Sequence, residues 1–146
     1  MSIHQYYDKL PEALMAFQYL EGALKFYIRD CDRMIQKSVK DSFHYSVREK
    51  DIEKMPLGRL IDEFSRRSNR TDLASALKKL NKNRNFVAHS AYIMSLRSQE
   101  DSAKMQELSQ KIEKVTEAAR ACFKELAREH SRVTKEPISQ EILDMI

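Results

Sequence analysis

Arg84, Asn85 and His89 stand at the end of the stretch Asn81-Lys82-Asn83-Arg84-Asn85-Phe86-Val87-Ala88-His89, which has the context of a helix. Together these side-chain types could cut a phosphodiester without a metal. A histidine with a pKa near neutrality can take a proton from a ribose 2′-hydroxyl or return one to a leaving 5′-oxygen. An arginine binds phosphate through paired hydrogen bonds and stabilises the extra negative charge of a pentacoordinate transition state. Asn85 could orient the imidazole or the attacking hydroxyl. Three of the chain's four asparagines fall within these nine residues, although the asparagine amide competes for backbone hydrogen bonds and disfavours helix interiors. Something other than helix propensity placed them there.

A straight α-helix would set Asn81, Asn85, His89 and Tyr92 along one polar stripe. Arg84 and His89 are five apart, roughly 140° around the axis, so only the arginine's long arm could approach the imidazole. A second copy of the helix across a twofold axis would gather two arginines, two histidines and both Asn85 amides around one cleft.

Charge collects beside this stretch. From Arg59 to Arg84 there are eight basic residues against three acidic ones, whereas the whole chain carries a net charge of +4. Arg66, Arg67, Arg70, Lys78 and Lys82, with Asn81, are the candidates to track RNA phosphates. A solvated helix face would carry the same residues, and composition does not separate the two readings.

The elements that must position these groups read as helices. Two glycines and three prolines in 146 residues leave hairpins and glycine-rich phosphate loops without their usual residues. The class is all-α. Pro11 suits a first helical turn, and Ala13, Phe17, Leu20, Leu24, Tyr27, Cys31 and Met34 then recur at steps of three and four, giving a first long helix over about 11–38. Residues 40–56 form a connection with room for a short helical turn. Leu57, Leu60, Ile61 and Phe64 make a short second helix that ends near 65–70. Thr71 can cap a third, with Leu73, Leu77, Leu80, Arg84, Val87, Ala91 and Met94 as its inward stripe to about Arg97. From about Asp101, Met105, Leu108, Ile112, Val115, Ala119, Cys122 and Leu126 mark a fourth helix with a bundle seam. Residues 133–146, with Pro137, Ile138, Ile142, Leu143 and Ile146, read as a short docking segment on this or a partner subunit. Three long helices and shorter ones imply an up-and-down bundle, one domain over 1–146.

Several classes are excluded. Cys31 and Cys122 are isolated and lack the spacing of a metal site or a disulfide framework, so reduced thiols in a cytoplasmic protein are expected. His4, His44 and His130 show no ligand spacing, and no metal or cofactor is expected. No run approaches the roughly 18 apolar residues of a membrane span.

The motif Arg84-Asn85-x3-His89 resembles the R-x(4–6)-H signature of HEPN domains, whose residue after the arginine is typically Asn, Asp or His. The order of helices is similar as well. The resemblance implies a helical bundle that dimerises around the motif helix and cuts RNA without a metal, leaving a 2′,3′-cyclic phosphate. It makes Arg84 and His89 the catalytic pair and Asn85 the supporting polar residue. It also implies a toxin or defence role, with a neutralising partner protein as a further possibility. HEPN toxins paired with a nucleotidyltransferase carry tyrosine two positions past the histidine; here Ala91 stands there and Tyr92 follows one residue later. Two other classes fit the same residues: a non-catalytic helical interaction module, motivated by the heptad-spaced fourth helix, whose third helix self-associates or docks a partner protein, and an RNA-binding protein that holds without cutting.

Overall fold

Apolar residues three and four apart do build helices at the expected places, and a computed structural model describes residues 3–91, 102–138, 140 and 144. The first helix, α1 (Ile3–Val39), is 37 residues long and begins before Pro11. That corrects the expectation of a start at the proline. Pro11 is exposed while Leu10 and Ala13 beside it are buried, so core contacts hold the turn together despite the missing backbone donor.

The short α2 (Glu49–Lys54) supplies the helical turn expected in the connection and buries Ile52. Behind Pro56, α3 (Leu57–Arg67) buries Leu57, Leu60, Ile61 and Phe64, the four residues its sequence offered. Next comes α4 (Thr71–Asn85). Thr71 is not its cap: Arg70 holds that position with no side-chain bond, and the acidic Asp72 occupies the first turn, where it faces the positive end of the helix dipole. A π-helical turn (Phe86–Ala91) continues α4, and the expected extension over 92–97 lies outside the described residues. The last helix, α5 (Ser102–Thr134), buries all seven residues of its seam. It stops where Lys135 takes a left-handed conformation, φ 61°.

Cross-helix contacts give the directions. Lys9 meets Glu113 at 3.1 Å, the rings of Tyr19 and Phe123 lie 6.4 Å apart, and His130 meets Asp30 at 2.8 Å, so α1 and α5 run parallel. Arg70 reaches Glu125 at 3.3 Å while Lys111 sits over the Phe86 ring, so α4 runs against α5. The three long elements go up, down and up, and the stretch from 40 to 70 makes the crossing. Tyr27 packs on Phe64 with ring centroids 5.0 Å apart, joining α1 to α3 in the core, and burial pushes its hydroxyl up to about 12.

Beside this contact Arg67 donates to both oxygens of Asp32, at 2.9 and 3.1 Å, and to Glu63 at 2.7 Å. The bond from Arg67 holds the Glu63 carboxyl below the usual carboxylate range. A depressed carboxyl adds stability above its unfolded value of about 4.3 and loses it as pH falls through the folded one. Thermal unfolding should therefore show a midpoint that is level above about pH 5 and drops below about pH 4. In a Glu63→Gln variant the drop should be shallower; an identical slope would contradict this account.

No helix among the described residues is long and apolar enough to cross a membrane.

Candidate functional site

Leu77 and Leu80 direct the last turns of α4 toward the core. After Asn85 the backbone changes from α to π geometry, in which hydrogen bonds join residues five apart instead of four. Two side chains pin the turn. Val87 is buried at 1 % exposure, and Phe86 is half-buried with the Lys111 ammonium 3.9 Å from its ring centroid. On the free side Asn85 and His89 are exposed. His89 has no hydrogen-bond or ion-pair partner among the described residues.

Arg84 lies half-buried on the flank toward α1, with a guanidinium nitrogen 3.6 Å from Glu21 Oε1. At that length the contact is an ion pair rather than a good hydrogen bond, so the guanidinium keeps donors for a phosphate. The expected straight-helix geometry is replaced here. A turn closed by i→i+5 bonds uses more residues per revolution, so a spacing of five falls closer to one face than the α-helical 140°. Tyr92, the last member of the expected stripe, lies outside the described residues.

No family model, curated protein or solved structure matches this chain. The site therefore has to be read from its own geometry.

The six candidate RNA contacts fall into two groups. Lys78 and Lys82 are exposed on α4 at spacings of four and three ahead of Asn85, on one helix face with it, and neither has a partner among the described residues. Asn81 is half-buried against α3, where a Cβ added to Gly58 would lie 3.2 Å from its amide nitrogen. Arg66, Arg67 and Arg70 gather instead around the start of α4. Arg70 is about 22 Å from Asn85 along the axis, at 1.5 Å per residue. Each of the three is paired: Arg66 with Glu63 at 3.3 Å, Arg67 with Asp32 and Glu63, and Arg70 with Asp72 at 2.9 Å and Glu125 at 3.3 Å. The bond from Arg70 lowers the Asp72 carboxyl to about 2.

Glu21 is the neighbour that sequence reasoning missed. It sits 63 positions before Arg84 on a different helix, and no local pattern singles it out. Cys31 is half-buried and Cys122 buried, both as free thiols, and burial raises the pKa of each. No cluster of three or more metal-ligating side chains occurs among the described residues. Of the docking segment, Ile138 lies against the groove between α1 and α5, while Ile142, Leu143 and Ile146 lie outside the described residues.

Proposed function

We propose that this chain is a metal-independent endoribonuclease of the HEPN type, working as a homodimer through α4 and the π turn that carries the motif. The observation that carries the reading is the π turn itself. It opens directly behind Arg84 and Asn85, is pinned by Phe86 and Val87, and leaves His89 exposed. An interruption of regular helix hydrogen bonding recurs at functional sites.

In this reading the Arg84 guanidinium exchanges its contact with Glu21 for a phosphate of the RNA. His89 removes the proton of the ribose 2′-hydroxyl. The 2′-oxygen attacks phosphorus and the bond to the 5′-oxygen breaks; that oxygen takes a proton from the histidine of the partner copy. The products are a 2′,3′-cyclic phosphate and a 5′-hydroxyl end. Asn85 holds the imidazole or the attacking hydroxyl in place, and Lys78 and Lys82 follow the backbone on the same face. A toxin or defence protein of the cytosol, held in check by a neutralising partner, is the setting that the resemblance implies.

Incubating the purified chain with RNA in EDTA and analysing the product ends tests the reading. Fragments that end in 2′,3′-cyclic phosphate are expected; RNA left intact while it binds would overturn cleavage and leave an RNA-binding protein. Replacing Lys78 and Lys82 with alanine should weaken that binding and reduce the slope of log affinity against log salt by about 1.4, at about 0.7 per contact to a single strand. An unchanged slope would remove these lysines from the interface.

One observation favours a second reading. Arg84 already has a carboxylate in Glu21, which is what a non-catalytic interaction module would need from a half-buried arginine. Under that reading Arg84→Ala changes self-association or stability, and no RNA is cut.

A further inference from the structure

Gly22 lies in the middle of α1, where glycine is unfavourable relative to alanine, yet a Cβ placed there would meet nothing within 4 Å. Nothing among the described residues requires its small size. On the same outward face Met15 and Phe26 are 51 % and 52 % exposed. Two sets of residues seven apart compose this face: Asp8, Met15, Gly22 and Arg29, interleaved with Glu12, Tyr19, Phe26 and Arg33. Their alternating steps of four and three are the spacing of a helix-pairing seam. The core seam of α1, through Leu20, Leu24 and Tyr27, lies on the other side.

The order along this stripe is acidic, apolar, basic, and it is self-complementary. If a second α1 is laid antiparallel, with the twofold axis between residues 20 and 21, Asp8 faces Arg33 and Glu12 faces Arg29. Met15 then faces Phe26, and the bulky Tyr19 faces Gly22. Every layer matches charge with opposite charge, apolar with apolar, or large with small. A parallel pairing would set like against like throughout. Asp8 and Glu12 have no partner among the described residues. Arg33 contacts Glu49, and Arg29 contacts Asp30 at 3.3 Å while lying 4.5 Å from the Phe26 ring centroid. Each guanidinium has five donors and keeps some for a second carboxylate. A cavity of about 440 Å³ between α1 and α5, lined by Tyr19, Gly22, Phe26 and Phe123 and also by Ile138 of the tail, lies beside the middle of the stripe and would be partly covered in such a pair.

We infer that the outer face of α1 is an interface for a second copy of this chain, paired antiparallel about its midpoint. The inference does not depend on the ribonuclease reading. Glu21, which meets Arg84, points to a different flank of α1, so this interface leaves the motif free and is separate from any dimer made through α4.

The register fixes a test in the full chain. Arg29→Glu with Arg33→Glu opposes acid to acid across the pair, and Asp8→Lys with Glu12→Lys opposes base to base. Each double variant should have half the parent's mass by light scattering at equal concentration, and a one-to-one mixture of the two should recover the parent's mass. A monomeric parent, variants of unchanged mass, or a mixture that fails to recover would each overturn the inference. A second pair of variants covers the case in which charge reversal impairs folding. Met15→Cys chains mixed with Phe26→Cys chains should form a mixed disulfide under mild oxidation that neither forms alone; its absence would also overturn the inference.

Discussion

If the proposed ribonuclease reading holds, His89→Ala should leave RNA intact under conditions in which the parent chain cuts it. Loss of a proton-transferring side chain removes about 10²- to 10⁴-fold in rate, and His89 is exposed with no partner among the described residues, so the fold has little to lose. Its melting should shift by no more than about 0.5 kcal/mol of stability. Arg84→Ala should be nearly as damaging to cleavage, by about 10²- to 10³-fold, because the guanidinium meets charge that appears only in the transition state. Its contact with Glu21 is long and partly exposed, so the stability cost stays within about 1 kcal/mol. Cleavage rates in EDTA, read beside thermal melts followed by circular dichroism, separate chemistry from folding. Cleavage by either variant at the parent's rate would sink the assignment of that residue.

The largest effect on stability is expected at Arg67. Its side chain is 19 % exposed and that of Asp32 8 %, so Arg67→Ala would leave a carboxylate in the core with the Tyr45 hydroxyl at 3.4 Å as its remaining donor among the described residues. Removing one partner of a buried pair costs about 3–5 kcal/mol, and the partial exposure here places the expectation near the lower end. Arg67→Lys should recover little of the loss, because an ammonium cannot reproduce the two-pronged bond to Asp32 while also reaching Glu63. Urea unfolding measures both; a loss below about 1 kcal/mol for the alanine variant would show that the network contributes little. RNA affinity measured on the folded alanine variant should match the parent's, whereas the lysine-to-alanine changes on α4 should do the reverse.

These two expectations mark where the sequence was readable. The seam of α5 and the short apolar face of α3 were legible because burial imposes a spacing of three and four, and each residue named from that spacing is buried. The motif could be singled out as a candidate because Arg84, Asn85 and His89 lie within six positions of one stretch. The partners of the basic residues were not. A count of charge along the chain sees neighbours, but Asp32 comes to Arg67 from 35 positions away and Glu125 to Arg70 from 55. Arg67 and Arg70, which looked like part of a surplus, are each held by a local carboxylate and by a second one that only folding delivers. The departure from α geometry after Asn85 was hidden for a related reason. Asn-Phe-Val-Ala-His suits a helix of either winding, and its apolar spacing, with Val87 buried and Phe86 half-buried, does not distinguish the two. Pro11 misled because a rule about proline in isolated helices yields to packing on both sides of it.

The parallel pairing of α1 with α5 bears on how this chain comes to be folded. The contacts that join the two helices span 100 to 104 positions, as between Asp30 and His130 or Lys9 and Glu113. On a ribosome, α1 emerges well before α5, its main partner. Leu10, Phe17, Leu20 and Leu24 face water, a chaperone or one another until α5 has left the exit tunnel. Closing so long a loop makes the bundle fold more slowly than a helical protein with neighbouring partners. Synthesis that stalls before α5 therefore releases a chain with an uncovered apolar helix, the species most prone to aggregate.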